Sequence, residues 1–441
     1  MQSKLDNRAP SAPTGHSGQR PTRVRHVVLS LTVLAYMITY MDRQILAVAR
    51  PVIRDELHIS LQMMGWITFG FRLAYALFQI PGGWLGDKFG ARRALTVVVT
   101  WWSLFTGLTA MAWNAASMLV IQVFFGLGEA GAFPIATRSL SRWMRPTERG
   151  FAQGVTHAGS RLGGAITPLI LAGFSIFGLR WSGVIPLYGW RAAFWGFGIL
   201  GVAWALAWFL YYRDTPEEHQ SVNQAERELI GSGRKRSNAA VPWKQILAHG
   251  NIWVLASMYF CYNFNLNVYQ DWFPTYLNDA HHITIAKMGW YAFLPLFAGV
   301  LGDLAGGWCS DYVLRISGNV NLARRWVAIA GFLVSAVATI PAVLAATPET
   351  SVAWYCVAFF ALEWTVGISW AVPLDIGGDF AGSVSAVMNS VGNIGGAVSA
   401  AVATYTAAKY GWNIPFFITS VLCLVAAALF LKIDANKKIA S

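Results

Sequence analysis

The 441 residues are 55% hydrophobic and 14% aromatic but only 12% charged, against roughly 25% charged in a soluble globular protein, which excludes an ordinary cytosolic enzyme. The net charge is +12; in a soluble chain that excess would raise the question of nucleic acid, whereas in a membrane protein it collects in cytoplasmic loops. The four cysteines (Cys261, Cys309, Cys356, Cys423) all stand in apolar stretches without paired Cys or His spacing, so they are read as small apolar residues and no disulfide framework or metal site is expected.

Residues 1–24 are rich in Ser, Pro, Gly, Gln and Arg and hold no apolar core of the kind a signal peptide needs, which predicts a disordered cytoplasmic tail. Twelve apolar runs follow, each close to the ~20 residues that cross a bilayer. The first six are Val27 to Val48, Met63 to Leu85, Ala94 to Trp113, Ala116 to Ala136, Gly154 to Phe177 and Ala193 to Tyr212. A polar stretch comes next, with mixed charges at Glu217, Glu218, Glu226, Arg227 and Glu228 and the run Arg234-Lys235-Arg236. The second six are Trp253 to Tyr276, Met288 to Val313, Trp326 to Ala346, Val352 to Asp375, Val384 to Tyr405 and Pro415 to Ile433. The pattern predicts an all-α membrane protein, twelve transmembrane helices in two six-helix halves (25–212 and 251–433), joined by a cytoplasmic linker (213–250) and ending in a cytoplasmic tail (434–441).

Lys and Arg divide 24 on the side of the termini and linker against 6 on the opposite side, the remaining three (Arg43, Arg72, Arg161) lying within spans. By the positive-inside rule both termini are expected in the cytoplasm of a cell inner membrane, and the basic balance needs no nucleic acid. One internal repeat stands out: Gly82-Gly83-Trp84-Leu85-Gly86-Asp87 closes the second span, and Gly306-Gly307-Trp308-Cys309-Ser310-Asp311 closes the eighth. The halves therefore read as copies, an arrangement that puts a transported solute near the midplane between them.

The stretch Gly83-x-Leu85-Gly86-Asp87-Lys88-x-Gly90-x-Arg92-Arg93 resembles the motif that follows the second helix in the major facilitator superfamily. Within it, Tyr40-Met41-Asp42-Arg43, Ala74-Tyr75 with Gln79-Ile80-Pro81-Gly82-Gly83-Trp84, and Gly126-Leu127-Gly128-Glu129-Ala130-Gly131-Ala132-Phe133-Pro134 resemble the anion:cation symporter family. That resemblance implies the major facilitator fold and import of a small organic anion with protons: bacterial members carry hexuronates, aldonates, glucarate or aromatic carboxylates, and animal relatives sialic acid, phosphate or glutamate. It also implies proton coupling at Asp42 and Glu129 and anion binding at Arg43. Where many members carry an Arg two turns before the acid of the fourth span, this chain has Gln122.

Asp or Arg at a helix centre costs roughly 2.5 to 3.5 kcal/mol on insertion scales, so each interior charge is a functional candidate. Asp42 and Arg43 are adjacent and point about 100° apart, so one is free to meet solute while the other meets the fourth span; the alternative is a salt bridge that merely locks the bundle. Glu129 lies among small residues that permit close packing and desolvation, which suits a proton carrier or, alternatively, a permanently protonated packing residue. Arg72 shares a face with Tyr75 and Gln79 and is expected to replace the cation missing at Gln122, unless its head snorkels to water. Arg161, one turn after His157, is suited to a planar oxyanion. The first half alone thus holds Asp42 and Glu129 against three arginines, a cationic balance that favours an anion.

The second half offers amides. Asn263, Asn267 and Gln270 share a face of the seventh span, Glu363, Ser369 and Trp370 lie on the tenth, and Asn389 and Asn393 sit one turn apart on the eleventh; they are expected to bind substrate hydroxyls or to serve as interhelical glue. Asp303 is assigned to the gate. Asp87, Arg92, Arg138 and Asp311 are expected to be gating contacts that hold an outward-open state. The expected protein is a monomeric secondary transporter in the lipid bilayer, with protons as the coupling ion and no cofactor, since no Gly-x4-Gly-Lys-Ser/Thr loop for ATP is present. An exchanger or exporter on the same fold and a transporter-like anion sensor are the alternatives; no nucleophile–base pair marks an enzyme.

Overall fold

The computed structural model describes residues 20–145, 148–176, 179–231, 242–377 and 381–437. Most of the two predicted tails and the Arg234-Lys235-Arg236 run lie outside the described residues. Among those described, the first half is built from α1 (Val24–Leu57), α2 (Leu61–Thr109), α3 (Ala115–Glu129), α4 (Ala132–Trp143), α5 (Arg149–Ala172) and α6 (Val184–Tyr211). A short antiparallel hairpin, β1 (Phe174–Ile176) and β2 (Leu179–Trp181), separates α5 from α6. Two short helices, α7 (Gln224–Ile230) and α8 (Trp243–Ala248), follow. The second half comprises α9 (Gly250–His281), α10 (Ile285–Ser317), a π-helical turn (Leu322–Trp326) leading into α11 (Val327–Leu344), α12 (Pro348–Glu363), α13 (Val366–Gly377), α14 (Ala381–Tyr410) and α15 (Asn413–Lys432).

Twelve crossings result among the described residues because α2 is two of them, broken where Gly90 takes φ +78°, and because α3 with α4, and α12 with α13, each make one. Eight of these spans are long and apolar enough to cross a membrane. The other crossings belong to α2, α5 and α9, which carry Arg72, Gln79, Arg161, Asn263, Asn267 and Asp271; polar side chains turned inward lower their hydropathy without weakening the fold. The predicted first span stops at Val48, yet α1 continues through Arg50 and Pro51 to Leu57.

Below, the face that carries both termini is called the termini face and the other the far face. Glu226 of α7 caps the start of α1: its carboxylate accepts the backbone N–H groups of Val24 (3.3 Å) and Arg25 (3.2 Å) and the Thr22 hydroxyl, which otherwise would be orphan donors of a first turn. Asp214 accepts from the Arg92 N–H at 3.1 Å and packs on Gly90. The first part of the linker is therefore bound to the first half rather than free between the halves.

The repeat seen at Gly82 and Gly306 runs through the fold, with the same separation in sequence relating further pairs. His58 and His282 end α1 and α9 in the left-handed region (φ 51° and 53°). Gly65 of α2 and Gly289 of α10 each let the opposite half approach: a side chain at Gly65 would collide with Thr404 of α14, and one at Gly289 with the Gly173 carbonyl after α5. These contacts close the far face. At the termini face, Gly154 of α5 and Gly307 of α10 have nothing within 4 Å of where a Cβ would stand. The two halves are thus packed together at the far face.

Two crossings are kinked, both just after a buried glutamate. α3 stops at Glu129 and restarts at Ala132; α12 stops at Glu363 and restarts at Val366. In each case a glycine of the second helix of that half lies on the break, Gly82 against Gly131 and Gly306 against the Trp364 backbone.

Candidate functional site

Three arginine–carboxylate pairs converge between the halves. Arg43 Nε donates to both Glu129 oxygens at 2.9 and 3.1 Å. Glu129 is wholly buried, whereas the Arg43 side chain keeps 16% of its surface exposed and lies over the rings of Tyr75 (4.6 Å), Tyr40 (5.3 Å) and Phe71 (5.7 Å). Arg43 therefore supplies the counter-charge that the sequence reading seeks from Arg72. Asp42, 3% exposed, turns instead toward Trp102 and Thr106 of α2, and neither of its oxygens completes a hydrogen bond among the described residues.

Arg72 bridges the halves. Its Nη2 and Nε reach Asp271 of α9 at 2.6 and 3.0 Å, so the expectation that it pairs with Glu129 in place of a cation at Gln122 is corrected. Arg50 joins the same place: it donates to the Asp271 backbone carbonyl and its guanidinium lies 3.9 Å from the Trp272 ring centre. Nearer the far face, Arg54 meets Asp279 at 3.1 Å, and Trp412 Nε1 donates to the same carboxylate at 3.3 Å. Arg50 is 1% exposed, an interior charge that the sequence reading places in a loop.

Arg161 of α5 crosses to two carboxyls of the other half, Asp303 of α10 at 3.1 Å and Glu363 at the end of α12. The Tyr262 hydroxyl donates to the second oxygen of Glu363 at 3.1 Å. His157, one turn toward the termini face, stacks loosely among Tyr36, Phe133 and Trp370, with ring centres 5.9 to 6.3 Å away. Asp303 thus belongs to the centre rather than to a gate. Counting both halves, the interior holds Asp42, Glu129, Asp271, Asp303 and Glu363 against Arg43, Arg50, Arg72 and Arg161, so the cationic balance read from the first half alone does not describe the complete centre.

The amides divide. Asn393 and Asn389 of α14 donate to Gln79 Oε1 of α2 at 3.2 and 3.5 Å across the interface, and all three are only partly buried. By contrast Asn263 and Asn267 donate back to the carbonyls of Tyr259 and Asn263 on their own helix (3.1 and 2.6 Å) and pack on Gly392 and Gly396; they are helix-packing groups. Gln122 donates to Thr109 inside the first half at 3.1 Å. Ser369 is fully buried and donates to the Thr365 carbonyl at 2.7 Å. Each of these four is engaged within its own half, where the sequence reading expects substrate contacts.

Two of the gating residues, Arg92 and Asp311, make contacts within their own halves. Arg92 donates to the Phe209 carbonyl at 2.9 Å, and Asp311 meets Arg324 (3.2 Å), which also holds Asp375 (3.0 Å). Arg138 lies on α4 near the termini face. The Asp87 side chain lies outside the described residues. Ion pairs of Arg54, Arg72 and Arg161 join the halves.

Two repeated six-helix halves packed around arginine–carboxylate pairs define a membrane-embedded solute transporter. Residues 32–399 match the model of the Major Facilitator Superfamily, and the chain belongs to that family. It is 36% identical over 417 residues, 93% of this chain and 94% of the relative, to a protein of Cupriavidus necator named probable sulfoacetate transporter. It is 31% identical to the hexuronate transporter of Bacillus subtilis, over 87% of this chain and 88% of that one. It is 28% identical to the probable L-galactonate transporter of Escherichia coli, over 84% and 81%. The fold superposes on the crystal structure of a bacterial homologue of the human lysosomal transporter Spinster with a TM-score of 0.77 at 19% identity, covering 95% of this chain and 98% of that one.

Proposed function

We propose that this protein imports a small organic anion together with protons by alternating access, as a monomer in the cell inner membrane, with no cofactor. The observation that carries the reading is the Arg43–Glu129 pair at 2.9 Å beneath Tyr40 and Tyr75. A proton on Glu129 removes the counter-charge of Arg43, and the guanidinium then takes an acidic group of the solute between the two tyrosines. Guanidinium donors suit carboxylate and similar oxyanions. The partly open Gln79–Asn389–Asn393 cluster offers donors and acceptors to solute hydroxyls. Relatives named for sulfoacetate, hexuronate and L-galactonate transport share an acidic group on a small polar body, which supports this solute class.

The basic residues, 24 on the termini face against 5 on the other once Arg50 is counted inside the fold, support a cytoplasmic termini face, so the packed far face is the outside and the opposite end opens inward. In the reverse state, the Arg72–Asp271 and Arg54–Asp279 bridges open, and the glycine contacts at Gly65 and Gly289 part. The solute drives this exchange only through contacts that differ between the two states. The test is uptake of radiolabelled sulfoacetate, galacturonate and galactonate into proteoliposomes with and without an imposed inward proton gradient. Accumulation that follows the gradient supports symport; exchange indifferent to the gradient identifies an exchanger.

A further inference from the structure

We propose that Glu363 is a second proton-carrying carboxyl, the counterpart in the second half of Glu129, with Arg161 of the first half as its counter-charge. Both glutamates are wholly buried. Each is the last residue before a kink in its crossing, and each kink is packed by the repeated glycine of the second helix of its half, Gly82 or Gly306. Glu129 finds its arginine on α1. Position 267, which corresponds to Arg43 when the halves are aligned on Gly82 and Gly306, is an asparagine, and the cation comes instead from α5 across the interface.

The charge at this centre does not balance. Arg161 brings one positive charge, and Asp303 and Glu363 bring two carboxyls, so one is left without a partner when both are ionised; like charges sharing a buried site do not both ionise readily. Apart from Arg161, the groups around Glu363 supply no permanently charged cation among the described residues: α9 presents Tyr259 and Tyr262, α1 presents Tyr40, α5 presents Arg161 and the imidazole of His157, which lies among the Tyr36, Phe133 and Trp370 rings, α10 presents Asp303 with Gly299 against the Glu363 stem, and α11 has no titratable side chain in its span. Arg161 occupies the space between the two carboxyls, which leaves a proton as the cation that fits. Glu363, with the Tyr262 hydroxyl on its free oxygen, is the more enclosed of the two acids, since the Asp303 side chain is 21% exposed.

The pseudo-symmetric position shows that closure of the interface does not itself require charge. Gln79 and Asp303 are equivalent in the alignment that pairs Gly82 with Gly306, and Arg161 and Asn393 are equivalent in the one that pairs Gly163-Gly164 with Gly395-Gly396. On one side of the molecule the contact is an amide pair, Asn393 to Gln79; on the other it is Arg161 to Asp303, with Glu363 added. The extra charge therefore has a role beyond holding the helices together. Protonation forms one O–H bond on a Glu363 oxygen and breaks its ion pair with Arg161, which keeps Asp303; loss of the proton restores the pair. The step weakens a contact between the halves, and so couples this proton to their relative movement.

The transport consequence rests on the symport reading, whereas the proton site itself does not. Infrared difference spectra of the full-length protein in lipid bilayers, titrated in pH without solute, will show a protonated-carboxyl C=O band that is lost in Glu363→Gln and retained in Glu129→Gln. Asp303→Asn, at a more exposed position, gives Glu363 sole possession of Arg161, and the same band will be lost near neutral pH. In proteoliposomes, the proton-to-sulfoacetate or proton-to-galacturonate ratio from reversal potentials will fall by one in Glu363→Gln while counterflow exchange continues. Identical titrations in wild type and both variants, or an unchanged ratio, would overturn the proposal. If uptake in the wild type ignores the proton gradient while the Glu363 band is present and lost as described, the symport reading falls and the proton site stands.

Discussion

The Arg72–Asp271 bridge gives a quantitative test of how the far face is held shut. Its side chains are 12% and 9% exposed and meet at 2.6 Å, so replacing Arg72 with Met strands a nearly buried carboxylate. Breaking one side of such a pair costs about 3–5 kcal/mol. Arg50 already lies on the Asp271 backbone carbonyl and offsets part of the loss, which favours the lower figure. If the bridge forms only when the far face is closed, about 3 kcal/mol lowers the closed-to-open ratio on the order of 100-fold. Thr404, packed on Gly65 at the closed end, is the reporter. In a background with the four native cysteines replaced by Ser, Thr404→Cys should react slowly with a membrane-impermeant maleimide and much faster once Arg72→Met is added. The double variant Arg72→Met/Asp271→Leu removes both charges and should return labelling to within about tenfold of the starting rate, since an apolar pair of similar volume is near neutral. A labelling rate unmoved by Arg72→Met, or equally fast in the double variant, refutes the bridge as a state-dependent latch.

Other outcomes follow from particular contacts. Gln122→Ala should lower thermal stability by about 1 kcal/mol through the lost Thr109 bond, while leaving the uptake KM within about twofold, because that amide points away from the arginines; a large KM change would return Gln122 to the site. Tyr75→Leu removes the ring face over Arg43, a contact worth about 0.5–2 kcal/mol, and should raise KM by about 2- to 30-fold in uptake assays with little change in melting temperature. Gly289→Val sets a branched side chain against the Gly173 carbonyl and should cost about 1–3 kcal/mol of the closed state, read as faster labelling at Thr404→Cys. Glu226→Gln weakens the cap on α1 and should make the linker more sensitive to limited proteolysis, with transport retained.

The spans, the repeat and the arginines are legible in the sequence because each is a local signal: a hydrophobic run, a Gly-Gly-Trp copy, a charge where lipid forbids one. Pairing is not local. The turn of about 100° between helical neighbours separates Asp42 from Arg43 in the sequence but does not say which of them meets the fourth span; Arg43 takes Glu129, and Asp42 turns to Trp102. Arg50 reads as a loop residue because a hydropathy window ends where the first cation stands, although α1 continues beyond it to Leu57. The i, i+4 amides Asn263 and Asn267 carry the same spacing whether they face a solute or the glycines of a neighbouring helix, and here they face Gly392 and Gly396. The acids Asp271, Asp303 and Glu363 are visible in the sequence, but a charge balance drawn over one half omits them. A buried arginine needs compensating acceptors, which sends the search for partners of Arg72 and Arg161 to the carboxylates of the second half.

The most direct test of the central claim is uptake of radiolabelled sulfoacetate, galacturonate and galactonate by the purified protein in proteoliposomes, with an inward proton gradient imposed or dissipated, in the wild type and in Glu129→Gln. The account predicts accumulation of at least one of these anions above equilibrium, collapse of that accumulation when the gradient is removed, and in Glu129→Gln a loss of driven uptake with counterflow preserved. Uptake of the same size with and without the gradient, unaffected by Glu129→Gln, would contradict it.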